Sequence, residues 1–188
     1  MTRSLPAEAA FRRAEPGDYP AMLALQEANL YDNLTPEQRS QGFLSARFSR
    51  DQFAAMNDDV AVAVAQVGDD ILGYLCGSSI EFNRQFALLA AMIECYPRLR
   101  WDGRPLDSYL SFVYGPVCID ARGRGKGLLR GLYGVVSSAA AARYELGVGF
   151  VAQDNVHSLA AHAQGLSMRD LGGFEFKQRF YRILASAV

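Results

Sequence analysis

Strong charge is the first thing this 188-residue chain lacks: 19 Lys and Arg stand against 20 Asp and Glu, a net charge of −1. Without a basic field, nucleic acid is excluded as the expected partner. Long apolar runs are missing too, and no stretch approaches the roughly 20 residues that cross a bilayer. Met1 to Ala10 contains one arginine and none of the apolar stretch of a secretory leader. Cysteine is sparse: Cys76, Cys95 and Cys118 lie in apolar runs with no metal-ligand spacing. An odd, buried-looking set argues for free thiols in a reducing compartment, and so for a cytoplasmic protein with no metal. Repeats, linkers and low-complexity segments are absent as well. What remains is ordinary globular composition, 50% hydrophobic and 21% charged. A chain of this length is expected to form one domain that buries about 70% of its unfolded surface.

Chemistry concentrates in Arg122-Gly123-Arg124-Gly125-Lys126-Gly127. Before it, Tyr109 to Ile119 is rich in aromatic and β-branched residues, as a buried strand should be. After it, Leu128, Leu129, Leu132, Val135, Val136, Ala139 and Ala140 recur at three- and four-residue steps, one face of a helix. The unit is strand, glycine-alternating basic loop, helix. A helix start leaves backbone N–H groups unpaired and carries about half a positive charge. Glycines let a ligand approach the backbone, and Arg122, Arg124 and Lys126 add cations, so a phosphate or pyrophosphate suits the loop. A Walker loop needs Ser or Thr after Gly-Lys, where Gly127 stands here. A dinucleotide fingerprint needs Gly-x-Gly-x-x-Gly early in a βαβ unit, whereas this spacing is Gly-x-Gly-x-Gly past mid-chain.

Arg122-x-x-Gly125-x-Gly127 resembles the acyl-CoA pyrophosphate loop of the GCN5-related N-acetyltransferase (GNAT) family. Asn155-Val-His-Ser158, after the strand-like run Leu146 to Gln153, is similar to that family's Asn-x-x-Ala/Ser motif at the start of the following helix. Gly173-Phe174 resembles the Gly-Phe that closes the segment. The resemblance implies an α/β (α+β) fold of acyl-CoA N-acyltransferase type: a mixed, largely antiparallel, splayed sheet flanked by helices. It implies acetyl-CoA as cofactor, bound by the 122–127 loop and by the backbone of Val117, Cys118 and Ile119, with Asn155 tying the splayed strand to the cofactor arm or to the helix start. It places His162 seven residues after Asn155, on the same helix face, where relatives carry the acid for the coenzyme A sulfur. An ordinary imidazole pKa of about 6.5 would leave it partly protonated near neutrality. His157, about 140° around the helix, should not substitute.

Elsewhere, Phe11 to Ala14 reads as a first strand and Asp18 to Asn29 as a helix. Thr35-Pro36-Glu37-Gln38 has an N-cap, a first-turn proline and an acid. A helix from Arg50 should end near Asn57 to Asp59. Val60 to Ala65 and Ile71 to Gly77, joined at Gly68-Asp69-Asp70, form a hairpin. Phe86 to Cys95 is apolar nearly all round; it reads as a core helix, a lid over the acceptor pocket, or a homodimer contact. The segment 165–171 lengthens the distance from His162 to Gly173, as a longer helix or as a loop. The last residues read as two strands around Lys177-Gln178. Glu81 and Asp107 flank the divergent middle segment and are candidate bases. The activity implied is acetyl transfer to an amine of a small molecule or exposed peptide; the alternative is a non-catalytic acyl-CoA-binding module. A nucleotide-binding protein is a distant third. No membrane partner is expected.

Overall fold

The computed structural model describes residues 9–188; the leader expectation for residues 1–8 lies outside them. The described residues open with β1 (Ala9–Arg13), α1 (Tyr19–Glu27), α2 (Pro36–Arg39) and α3 (Arg50–Asp59). The expected hairpin follows as β2 (Ala61–Val67) and β3 (Asp70–Ser79). The middle segment holds α4 (Ile80–Asn83), α5 (Ala87–Ile93) and a small hairpin, β4 (Arg100–Trp101) and β5 (Arg104–Pro105). Then come β6 (Ser111–Ile119), α6 (Leu128–Ala140), β7 (Leu146–Ala152), α7 (Val156–Gly165), β8 (Arg169–Phe176) and β9 (Arg179–Ala187).

Local chemistry explains the helix starts. Thr35 and Ser49 each accept from the backbone three residues on, while Gln38 and Gln52 return the bond. These are full capping boxes. Asp18, before α1, instead chelates Arg12 of β1 at 2.6 and 2.8 Å, tying strand to helix.

Seven strands form one sheet in the order β1-β2-β3-β6-β7-β9-β8. Every neighbouring pair is antiparallel except β6 and β7. Strand alternation sorts the core into two layers. Ala61, Ala63 and Ala65 of β2 face Leu128, Leu132 and Val136 of α6. Val62 and Val64 face Met22 and Leu25 of α1 and Phe53 and Met56 of α3. On β2 the α6 side is built of alanines, where the helix lies close. A Cβ on Gly77 of β3 would come within 2.7 Å of Val136.

The mixed sheet flanked by helices is the expected architecture, with three local differences. The first strand ends at Arg13, and α1 stops at Glu27, where Asn29 turns its side chain back to the Leu25 carbonyl at 2.9 Å. Of Phe86 to Cys95, only Ala87–Ile93 is α-helical; Leu89, Met92 and Ile93 are buried, the core-helix reading. The segment 165–171 is divided: α7 runs to Gly165, and β8 takes over at Arg169 with a bulge between Asp170 and Gly172.

Candidate active site

The site begins where two strands part. β6 and β7 pair only over Ser111–Val113 and Leu146–Val148. Beyond that β6 stays bonded to β3 alone, through a bulge in which Tyr114 opposes Gly77 and Val117 opposes Leu75. Pro116, which has no N–H to offer, sits in that bulge. A wedge opens between β6 and β7.

Alternation decides which backbone groups line the wedge. The Asp120 N–H donates to the Leu72 carbonyl of β3 at 2.9 Å. In an antiparallel ladder, residues facing the partner strand alternate with residues facing away. Cys118 therefore points its N–H and C=O at β3, while Val117 and Ile119 turn theirs toward the wedge. This corrects the expectation for Cys118, whose main chain is already spent. Its thiol is buried near the Leu25 carbonyl, and burial pushes its pKa up to about 12. The Ile119 carbonyl accepts from Arg124 Nε at 3.2 Å, so Val117 is the freer edge.

At the end of β6, Asp120 accepts from the Arg122 N–H at 2.8 Å and turns the chain into Ala121–Gly123. Gly125 and Gly127 hold φ of +69° and +81°, a region costly for side chains, and Gly127 caps α6. Among the described residues, the N–H groups of Gly125, Gly127, Leu128 and Leu129 find no protein acceptor. Four amides at one helix start are left for something else. The three cations do not converge there as expected. Arg122 is exposed and held by Asp120 at 3.1 Å and Asp70 at 2.8 Å, which raise its pKa. Arg124 folds under β6, its Nη2 donating to Asn29 Oδ1 at 2.7 Å. Of the three, Lys126 alone has neither an ion pair nor a side-chain hydrogen bond among the described residues. Sequence reading missed Arg130, which stands in the first turn of α6 and donates to the Gly165 carbonyl at 3.2 Å.

A cavity of about 140 Å³ fills the wedge. One wall comes from β6, β7 and α7, including Val117, Phe150, Asn155 and His162. The facing wall comes from residues 43–48 and the start of α5. Asn155 joins them: its Oδ1 caps α7 by accepting from Ser158 N at 3.3 Å, and its Nδ2 donates to the Phe43 carbonyl at 3.1 Å. His162 is 3% exposed, with Nδ1 at 2.7 Å from the Ser158 carbonyl. A carbonyl only accepts, so Nδ1 carries the hydrogen and the neutral ring keeps its lone pair on Nε2. Burial lowers the His162 pKa, against a smaller opposing effect of the Ser158 bond. The protonated fraction expected from an ordinary imidazole is therefore reduced. His157 is exposed on the other side of the helix.

Tyr114, unnoticed in the sequence, sets its ring edge-on to His162 at 5.4 Å, and its buried hydroxyl has no hydrogen-bond partner among the described residues. The strand alternation that places Tyr114 on the α7 side was the available signal. Glu81 is a surface group near Arg84 at 3.9 Å. Asp107 lines a second cavity, about 450 Å³, at the opposite end of β6 near Ser111. Neither candidate base belongs to the wedge.

No protein-family model matches the sequence, and no curated protein matches it. Solved structures do. An N-acetyltransferase from Staphylococcus aureus superposes with a TM-score of 0.61 at 17% identity, over 96% of this chain and 99% of that one. yncA from Salmonella typhimurium, solved with its cofactor acetyl-CoA, gives 0.60 at 14% identity, over 95% and 93%. An acetyltransferase of the GNAT family from Streptococcus pneumoniae gives 0.57 at 14% identity, over 96% and 100%. What these likenesses establish is the fold, and it is the one the loop and the Asn155 motif resemble: the chain carries the acyl-CoA N-acyltransferase fold of the GNAT acetyltransferases.

Proposed function

We propose that the chain is a single-domain, cytoplasmic N-acetyltransferase that moves the acetyl group of acetyl-CoA to an amine of a small molecule or exposed peptide. The observation that carries this reading is the set of amides at Gly125, Gly127, Leu128 and Leu129 that have no protein acceptor among the described residues, on the loop and helix start that directly follow β6, one edge of the wedge. Backbone donors at a helix start, with Lys126 beside them, suit a pyrophosphate. The free edge at Val117 suits an amide-bearing arm lying along the strand. Acetyl-CoA supplies a thioester whose carbonyl carbon is open to attack.

The chain's part is to position the reactants and to move protons. The amine lone pair forms the new C–N bond as the C–S bond breaks, and that bonding pair leaves on sulfur. The attacking amine must shed one proton, and a neutral His162 with a free Nε2 lone pair is suited to take it. Once protonated, a buried imidazole is a stronger acid than usual and can return that proton to the departing thiolate. His162 thus keeps its assignment as proton donor to sulfur but collects the proton first. The second reading, an acyl-CoA-binding module without turnover, is favoured by one observation: the carboxylates expected as bases lie outside the wedge.

Calorimetry with acetyl-CoA and with acetyl-pantetheine, which lacks the pyrophosphate, tests the loop. Hydrogen bonds to charged groups contribute about 1.5–3 kcal/mol each, so the truncated donor should bind at least about a hundredfold more weakly. Equal affinities would show that the amides hold nothing anionic. Thiol release against an amine panel then separates transferase from binding module.

A further inference from the structure

The facing wall of the wedge has a chemistry of its own. It is made by Phe43, Leu44, Ala46 and Phe48 from one segment and by Phe86, Leu88 and Leu89 from the start of α5. The wall is pinned rather than loose. Buried Gln26 donates to the Phe48 carbonyl at 2.9 Å and accepts from its N–H at 2.8 Å. Leu44 N–H donates to the Asn29 carbonyl at 2.8 Å, and Asn155 holds the Phe43 carbonyl. Phe48 and Phe86 pack edge to face at 5.4 Å. Among the described residues lining the cavity, none is a carboxylate, and the one permanently charged side chain is Arg47. Arg47 is 63% exposed and reaches out to Glu27 at 2.9 Å, so it marks the mouth.

We infer that the acceptor is a small apolar amine that is uncharged at neutral pH, of the arylamine type, and not a polyamine or lysine-like cation; this rests on the transferase reading above. An ammonium entering this cavity would lose its water with no anion to replace it, a cost burial does not repay. An alkylamine of pKa about 10.4 is uncharged in only about one molecule in 2,500 at pH 7. A peptide α-amine, with a pKa of about 8, stands between. An arylamine enters whole in its reactive form, its aromatic body against Phe43, Phe48 and Phe86. Its nitrogen lone pair then attacks the acetyl carbon, sulfur leaves with the C–S pair, and the surplus N–H proton passes by way of His162 to that sulfur.

The test uses two isomers of one formula, p-toluidine and benzylamine, which differ chiefly in whether the amine is charged at pH 7. Calorimetry first establishes that acetyl-CoA binds; failure there overturns the functional reading itself. Protein saturated with coenzyme A is then titrated with each isomer by ligand-observed NMR. p-Toluidine should bind at least about tenfold more tightly, the discrimination expected when a charge goes unpaired. Ser45→Asp, on an exposed residue at the cavity rim, should improve benzylamine binding while leaving acetyl-CoA affinity unchanged. With acetyl-CoA binding intact, equal or reversed affinities in the wild type, or binding of neither isomer, would overturn the acceptor assignment alone.

Discussion

Replacing Asn155 by Ala separates two bonds that one side chain makes at the junction of the wedge. The capping bond to Ser158 N is worth about 1 kcal/mol by the usual cost of an N-cap loss. The bond to Phe43 O leaves a largely shielded acceptor without its partner, which costs about another 1 kcal/mol. Asn155 is 5% exposed, so water does not readily take over either role. A total near 2 kcal/mol lowers Tm by roughly 4–8 °C in a protein of this size. Asn155→Ser keeps a capping oxygen and gives up the reach to Phe43, so it should lose about half as much. Thermal and urea unfolding of the three proteins measure this directly. Acetyl-CoA affinity in the folded Ala variant should stay within about threefold, since both ends of the amide are engaged inside the protein. A Tm change below 2 °C, or equal losses in Ser and Ala, would refute the division into cap and tether. A tenfold loss of affinity would instead place the amide against the donor.

Lys126 and Arg122, two of the three loop cations, should behave differently. Lys126→Ala is expected to weaken acetyl-CoA binding several-fold at unchanged Tm, whereas Arg122→Ala should change it little, because Asp120 and Asp70 already hold that guanidinium; calorimetry compares them. For His162, the folded pKa lies below its ordinary value of 6.5, so the folded state binds its proton less readily than the unfolded chain. Its contribution to stability is complete above pH 6.5 and is lost as pH falls from there through the lower folded pKa. Turnover that needs the neutral ring should decline over that lower limb, and His162→Ala should remove both the activity and the limb while keeping acetyl-CoA affinity. An unchanged rate in His162→Ala would remove the residue from the chemistry.

Local rules made the hairpin, the N-cap at Thr35 and the strand–loop–α6 unit legible, because each depends on neighbours a few residues apart. The charges in the loop were misread for the opposite reason. Arg122 finds Asp70 at a separation of 52 residues, and Arg124 finds Asn29 at 95. No periodicity announces such pairs. The Cys118 expectation failed by strand phase, where a shift of one residue exchanges the two sides of the strand. Only the bond from Asp120 to Leu72 sets that phase. The wall proposed to receive the acceptor lay furthest from view. Residues 43–48 and 86–89 are remote from the loop and carry no motif, and they meet only because Gln26, Asn29 and Asn155 pin the first segment against the parting strands. The proposed donor half of the site is thus written in a compact, glycine-punctuated stretch, since anion binding needs a particular backbone. The proposed acceptor half needs only shape and apolarity. Many sequences supply those, so in a transferase of this kind substrate choice could change through side chains at Phe43, Ala46 or Leu88 while the loop proposed to hold the donor stays as it is.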